Sequence, residues 1–367
     1  MPVDRSCDAR FGAVRDAFAE NFASRGEVGA AACVVVDGRT VVDLWGGHAN
    51  AGQTRAWTRD TLVNVFSIGK GLAAACVARL PLDVDAPVAR YWPEFGAAGK
   101  GEVTVRQALS HQAGLPAVRA RLPDGAMLDH DLMASALAAQ EPWWEPGTAH
   151  GYHTNTFGFL VGELVRRVDG RTLGTLFRED IARPLDADVH IGLSATEDHR
   201  VADFLWPQQP MPELPAELTD RERMLFNTYW NPPGLSGAGV VNSREWRAAE
   251  IPSTNGHATA RGIARVYASI EDVVEEGRLR EATTEQVYGE DVILGRPSRF
   301  GLGFQLTQAE RPLGPNPGTF GHFGAGGSLG FYDPQARVGF GYVMNQMGPR
   351  WQNPRNRALI EAVYASL

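Results

Sequence analysis

The sequence predicts an α/β (α+β) fold, in which an antiparallel sheet is flanked by terminal helices and interrupted by an inserted, mostly helical region. Two observations carry this. Strand patterns lie at both ends of the 367-residue chain, and helical periodicity fills the middle. One sheet made from the two termini satisfies both.

Taken in order, residues 8–25 place Phe11, Val14, Phe18, Phe22 and Ala23 on one helical face with charges between them. Val28–Val36 and Val41–Trp45 are strand-like runs joined by Asp37-Gly38, a hairpin signal, with Gly46-Gly47 closing the pair. A helix is predicted from about Ser67 to Leu80, where Pro81 stops it. Helical patterns follow at about 103–111, 130–140, 155–168 and 173–182. The stretch 206–239 is rich in proline and aromatics and reads as an irregular candidate lid. Strands are predicted at Phe300–Leu306, Gly318–Phe323, Ser328–Tyr332 and Val338–Met344, and a closing helix at 355–366. The whole reads as a single domain, with 1–62 and 255–367 forming the sheet part and 63–254 the mostly helical part.

Net charge is −8, which disfavours nucleic acid and anionic membrane as partners. No stretch is apolar for long enough to span a membrane. The N-terminus lacks the basic and apolar regions of a secretory signal, so a cytoplasmic location is expected. Cys7, Cys33 and Cys76 are odd in number and widely spaced, giving neither a disulfide nor a metal framework. No paired carboxylates, dinucleotide fingerprint or Gly-x-Ser-x-Gly elbow is present, and Glu145 and Glu163 read as helix-end and surface charges. No metal or cofactor is implied.

Of 35 basic residues only Lys70 and Lys100 are lysines. Arginine cannot give up its proton in a protein, whereas a lysine in a dry site can. Lys70 lies three residues after Ser67, on the same helix face. A serine needs such a base to become nucleophilic, and Ser-x-x-Lys is the short motif of that kind. Two further elements accompany it. Tyr152, in Gly151-Tyr152-His153-Thr154, is useful if a neighbouring lysine ammonium lowers its pKa. Gly321-His322-Phe323-Gly324-Ala325-Gly326-Gly327-Ser328 is a glycine-rich strand edge able to offer an N–H to an oxyanion.

Together these elements resemble the serine β-lactamase and penicillin-binding-protein superfamily, in its class C-like branch, nearest to the family VIII carboxylesterases. Supporting stretches are Asp60–Ser67, Leu82–Val88, Val103–Leu115, Gly301–Phe304 and Gly326–Phe331. The resemblance covers nearly the whole chain and implies a serine β-lactamase-like fold. It implies Ser67 as nucleophile, with Lys70 and Tyr152 sharing its proton and the backbone N–H groups of Ser67 and Ala325 as oxyanion hole. His322, Phe323, Gly324 and His153 are candidate substrate-binding residues. The superfamily's Lys-Thr-Gly motif reads His322-Phe323-Gly324, which weakens carboxylate recognition and fits a neutral ester.

The activity so implied is hydrolysis of a small-molecule carboxylic ester through a covalent acyl-enzyme. Acyl transfer to an alcohol or amine, β-lactam or D-amino-acid peptide hydrolysis, and a non-catalytic scaffold are the alternatives. His111 reads as satisfying buried backbone at a helix end, and Asn255-Gly256-His257 as capping a helix at Ala258. Trp206, Phe226, Tyr229 and Trp230 are open between an acyl-pocket wall and ordinary core. The oligomeric state is not encoded in any pattern here.

Overall fold

The computed structural model describes residues 3–206 and 217–367. Its centre is a nine-stranded, wholly antiparallel sheet. The strands are β1 (Val3–Cys7), β2 (Gly29–Val36), β3 (Arg39–Gly47), β7 (Val287–Asp291), β8 (Arg296–Phe300), β9 (Gln305–Leu306), β10 (Phe320–Phe323), β11 (Leu329–Asp333) and β12 (Val338–Met344), in the spatial order β1-β3-β2-β12-β11-β10-β9-β8-β7. A small sheet of β4 (Val63–Asn64), β6 (His257–Ala258) and β5 (Val189–His190) lies outside it. β2 and β12 join the two ends of the chain, with Cys33 opposite Gly341 and Val36 opposite Val338.

β2 is buried along nearly its whole length, so both faces of the central strands are covered. Side chains alternate along β12. Cβ atoms at Gly339 and Gly341 would collide with the helix Ala260–Ala268, so glycine lets that helix ride directly on the strand. Tyr342 points the other way, to Glu27, which is also paired with Arg355 of the terminal helix Pro354–Ala365. The N-terminal helix Gly12–Ser24 buries Val14 and Phe18 and is tied to the terminal helix by Asn21 Nδ2, which donates to Arg355 O.

Several expectations are corrected. Val3–Cys7 is a strand that the sequence reading did not anticipate. It is an edge strand, and edges tolerate polar residues such as Ser6. Ala23 is exposed, and Asn21 takes the buried place on its helix. Phe300–Leu306 is not one strand: the chain bends at Gly301–Gly303, with Gly303 at φ +83°, separating β8 from β9. The β7–β8 hairpin extends the sheet to before Phe300, where the first late strand is predicted to begin. Within 206–239, residues 207–216 lie outside the described residues, and Asp220–Trp230 is a helix with a Thr219/Glu222 capping box. His257–Ala258 is a strand, and Thr259 caps the following helix. Asn255 instead accepts from Ile251 N–H and donates to Trp246 O.

Glu163 is buried rather than superficial. Burial pushes its carboxyl up, but bonds from His130, Arg167 and Arg166 outweigh this and hold its pKa at about 2. Among the described residues no helix is long and apolar enough to cross a membrane.

Candidate active site

Ser67 precedes the helix Ile68–Ala78, where a hydroxyl ordinarily caps the helix end. Its side chain makes no capping bond. The residue before it, Phe66, is held at φ +49°, a left-handed conformation costly for a bulky side chain. Packing holds it there: Phe66 is buried and meets Phe204 and Trp206 edge-on at 4.8 and 5.6 Å. The turn directs Ser67 to the wall of a cavity of about 630 Å³.

Lys70 lies one helical turn on. Its Nζ is 3.1 Å from Ser67 Oγ, 2.6 Å from Thr154 O and 3.0 Å from Ser253 O. The side chain is wholly buried, and burial pushes the amine well below its ordinary 10.5. A neutral amine has two N–H bonds and one lone pair. With the Thr154 and Ser253 carbonyls accepting two of its N–H bonds, loss of the third proton would leave a lone pair facing the Ser67 hydroxyl. Gly69 allows this arrangement: a Cβ there would lie 1.9 Å from Pro252 O, displacing the segment that supplies the Ser253 carbonyl. The chain's other lysine, Lys100, is also buried but donates only to the carbonyls of Ala97, Ala138 and Gln140.

Tyr152 is wholly buried, stacked on Phe300 at 5.7 Å and edge-on to Trp351 at 5.0 Å. Lys70 Nζ sits 4.7 Å from its ring centroid. Its Oη forms no well-aligned hydrogen bond. Burial raises the phenol well above its ordinary 10, with the Ser67 hydroxyl pulling the other way. The expectation that a lysine ammonium lowers this phenol is therefore corrected, because burial opposes the charged form of both groups, pulling the amine down and pushing the phenol up.

Ala325 comes to the same cavity through the turn after β10. Gly324 N–H donates to Ser328 O at 2.7 Å, and Ser328 Oγ donates to Val65 O at 3.1 Å, which ties the turn to the segment just before the serine. Gly324 is required here, since a Cβ would lie 2.1 Å from Ser328 Oγ and 2.3 Å from Val65 O. Ser67 and Ala325 thus share one wall.

The structure does not bring the four candidate substrate-binding residues to that wall. His153 is wholly buried; its Nε2 accepts from Leu115 N–H and its Nδ1 donates to Gly151 O. His322 is buried behind Tyr152, with 6.0 Å between the rings, and its Nδ1 bonds Phe323 O. Burial lowers both imidazoles, to about 4 for His153 and about 3 for His322. Phe323 is core, and Gly324 serves the close approach just described. His111 accepts from His153 N–H through Nδ1, as a backbone-satisfying residue should.

Of the four aromatics left open, Trp206 and Tyr229 line the cavity, whereas Phe226 and Trp230 line a separate hollow. Residues not anticipated also take part. Asn155 lines the cavity and donates to Thr228 O and Ser236 Oγ. Asp291 accepts the Tyr152 N–H. Arg296 and Arg350 stand in the cavity wall. No sequence signal marked the last three, and Asn155 was visible only as the residue after Thr154. Among the described residues no group of three side chains is arranged to hold a metal ion.

A family model described as Beta-lactamase matches residues 14–365. The esterase/beta-lactamase LipL of Mycobacterium tuberculosis is 38% identical over 360 residues, spanning 93% of this chain and 82% of its own. The crystal structure of a family VIII carboxylesterase superposes with a TM-score of 0.91 at 44% identity, covering 100% of both chains. A penicillin-binding protein homologue from Caulobacter crescentus gives 0.90 at 40% identity, again covering 100% of both. A family match across nearly the whole length, with close relatives superposing over all of it, means that the chain belongs to the beta-lactamase family.

Proposed function

We propose that the protein is a serine carboxylesterase working through an acyl-enzyme on Ser67. One observation carries this reading: a buried Lys70 whose Nζ lies 3.1 Å from Ser67 Oγ, is held by the Thr154 and Ser253 carbonyls, and is pushed by burial well below its ordinary pKa, which favours the neutral amine that a base requires. As Ser67 Oγ attacks the ester carbonyl, its proton passes to Nζ and the carbonyl π pair moves onto oxygen. The backbone N–H groups of Ser67 and Ala325 would receive that oxyanion, and losing such a donor costs about 3–4 kcal/mol of barrier. Collapse breaks the bond to the leaving alkoxide, which takes the proton back. Water then repeats the sequence on the acyl-enzyme.

The high pKa of Tyr152 supports Lys70 as the base, with the protonated phenol as a donor towards the leaving oxygen. The relatives named as esterases support the ester as substrate class. A cytoplasmic location is part of the reading, supported by the buried thiols of Cys33 and Cys76. The test is hydrolysis of a short p-nitrophenyl ester series and one chromogenic cephalosporin by wild type and Ser67→Ala. Ester turnover that vanishes in the variant is expected; equal inertness of both proteins on every ester would overturn the reading.

A further inference from the structure

The cavity wall holds two guanidinium groups, from Arg296 on β8 and Arg350 in the loop after β12. Among the described residues neither has a carboxylate partner within ion-pairing distance, although arginine–carboxylate pairs such as Arg355–Glu27 and Arg200–Asp188 occur elsewhere among them. Arg296 lies over the Trp351 ring at 4.9 Å, and Trp351 in turn meets Tyr152 edge-on at 5.0 Å. The acid opposite Arg296 across the hairpin is Asp291, but its oxygens are already taken by the N–H groups of Tyr152, Ile293 and Leu294 and by Ser298 Oγ. The two arginines repel each other, and Arg296 is partly desolvated, which lowers its pKa. Arginine nevertheless remains charged. In a protein of net charge −8, two cations in one cleft wall, neither ion-paired and only partly offset by Asp291, focus a local positive field.

We infer that Arg296 and Arg350 form an anion subsite, so that the preferred ester carries a carboxylate distal to the scissile bond. This rests on the carboxylesterase reading. It also revises the neutral-ester expectation drawn from His322-Phe323-Gly324, because the cationic groups come from elsewhere in the chain.

The experiment compares kcat/KM for p-nitrophenyl butyrate with that for mono-p-nitrophenyl glutarate, whose carboxylate is on the acyl side. A third ester, 4-(butanoyloxy)benzoate, carries it on the alcohol side. Wild type is expected to favour one anionic ester over the neutral one by about tenfold or more, through KM. That ratio should shrink at high salt, fall towards unity in Arg296→Gln/Arg350→Gln and be partly restored in Arg296→Lys. Equal rates on all three esters in wild type, or a ratio unchanged in the double variant, would overturn the subsite while leaving the esterase intact. If no ester is turned over, the esterase reading fails separately. Calorimetry of glutarate binding to Ser67→Ala with and without the two arginines then decides the subsite: binding lost with the arginines supports it, and no binding to either protein overturns it.

Discussion

Both oxygens of the Asp291 carboxylate accept the backbone N–H of Tyr152, at 3.0 and 3.1 Å. The same carboxylate gathers the N–H groups of Ile293 and Leu294 and the Ser298 hydroxyl, which also lies 3.1 Å from His150 Nε2. One buried acid thus joins the tip of the β7–β8 hairpin to the segment carrying the candidate phenol. Asp291→Asn turns one acceptor into a donor that faces other donors. Stability should fall by about 2–3 kcal/mol, and kcat should drop while KM moves little. Urea unfolding and steady-state kinetics read the two effects; a stability loss with unchanged kcat would mean that Asp291 only fastens the hairpin.

Lys70 makes both activity and stability depend on pH in a predictable direction. In the unfolded chain it holds its proton up to about 10.5, whereas in the native protein burial releases it well below that. Between those limits the unfolded state binds more protons, so Lys70 lets stability rise with pH across that window and withdraws it as pH falls through the native pKa. Thermal unfolding of wild type against Lys70→Met from neutral to alkaline pH should show wild type gaining on the variant. The acid limb of kcat/KM should lie well below 10.5, and Lys70→Arg, which cannot accept the proton, should be inactive while folded.

Glu27 has the opposite sign. Burial raises its carboxyl from 4.5 to about 7, against the pull of Arg355 and Tyr342. The native state therefore binds the extra proton between those values, and its contribution to stability is lost as pH rises from about 4.5 through about 7. Wild type compared with Glu27→Gln should lose relative stability over that interval and then level off. Arg355→Met leaves the acid without its cation and should cost about 3–5 kcal/mol at pH 8. Because Arg355 also donates to Gly326 O and Gln346 O, it should slow ester turnover as well. Melting curves at pH 5 and pH 8 decide the sign.

Gly324→Ala tests the approach of the glycine-rich turn to the serine. The added methyl meets Ser328 Oγ and Val65 O inside contact distance, so the turn must retreat and carry Ala325 with it. Turnover should fall by about a hundredfold or more, the scale of losing one oxyanion donor. Ser328→Ala removes a single hydrogen bond to Val65 O and should cost only about 1 kcal/mol of stability. Near-normal kcat in Gly324→Ala would show that Ala325 N–H is not needed.

The sheet, its two flanking terminal helices and the Ser67–Lys70 relationship were legible in the chain, because each rests on local periodicity or on spacing within one helical turn. The resemblance of spaced motifs added Tyr152 and Ala325. The edge strand Val3–Cys7 escaped notice because polar residues at a sheet edge leave no hydrophobic alternation. The break at Gly301–Gly303 escaped because a bend is set by packing rather than by propensity. Charge states were also beyond the sequence. Whether Lys70 is an ammonium or an amine depends on burial and on two backbone carbonyls distant in the chain, Thr154 and Ser253. The placement of His153 and His322 in the core, of Asp291 behind Tyr152, and of Arg296 and Arg350 in the cavity arises in the same way. Long-range contact decides which side chains lose water and which keep it, and desolvation sets both pKa and access.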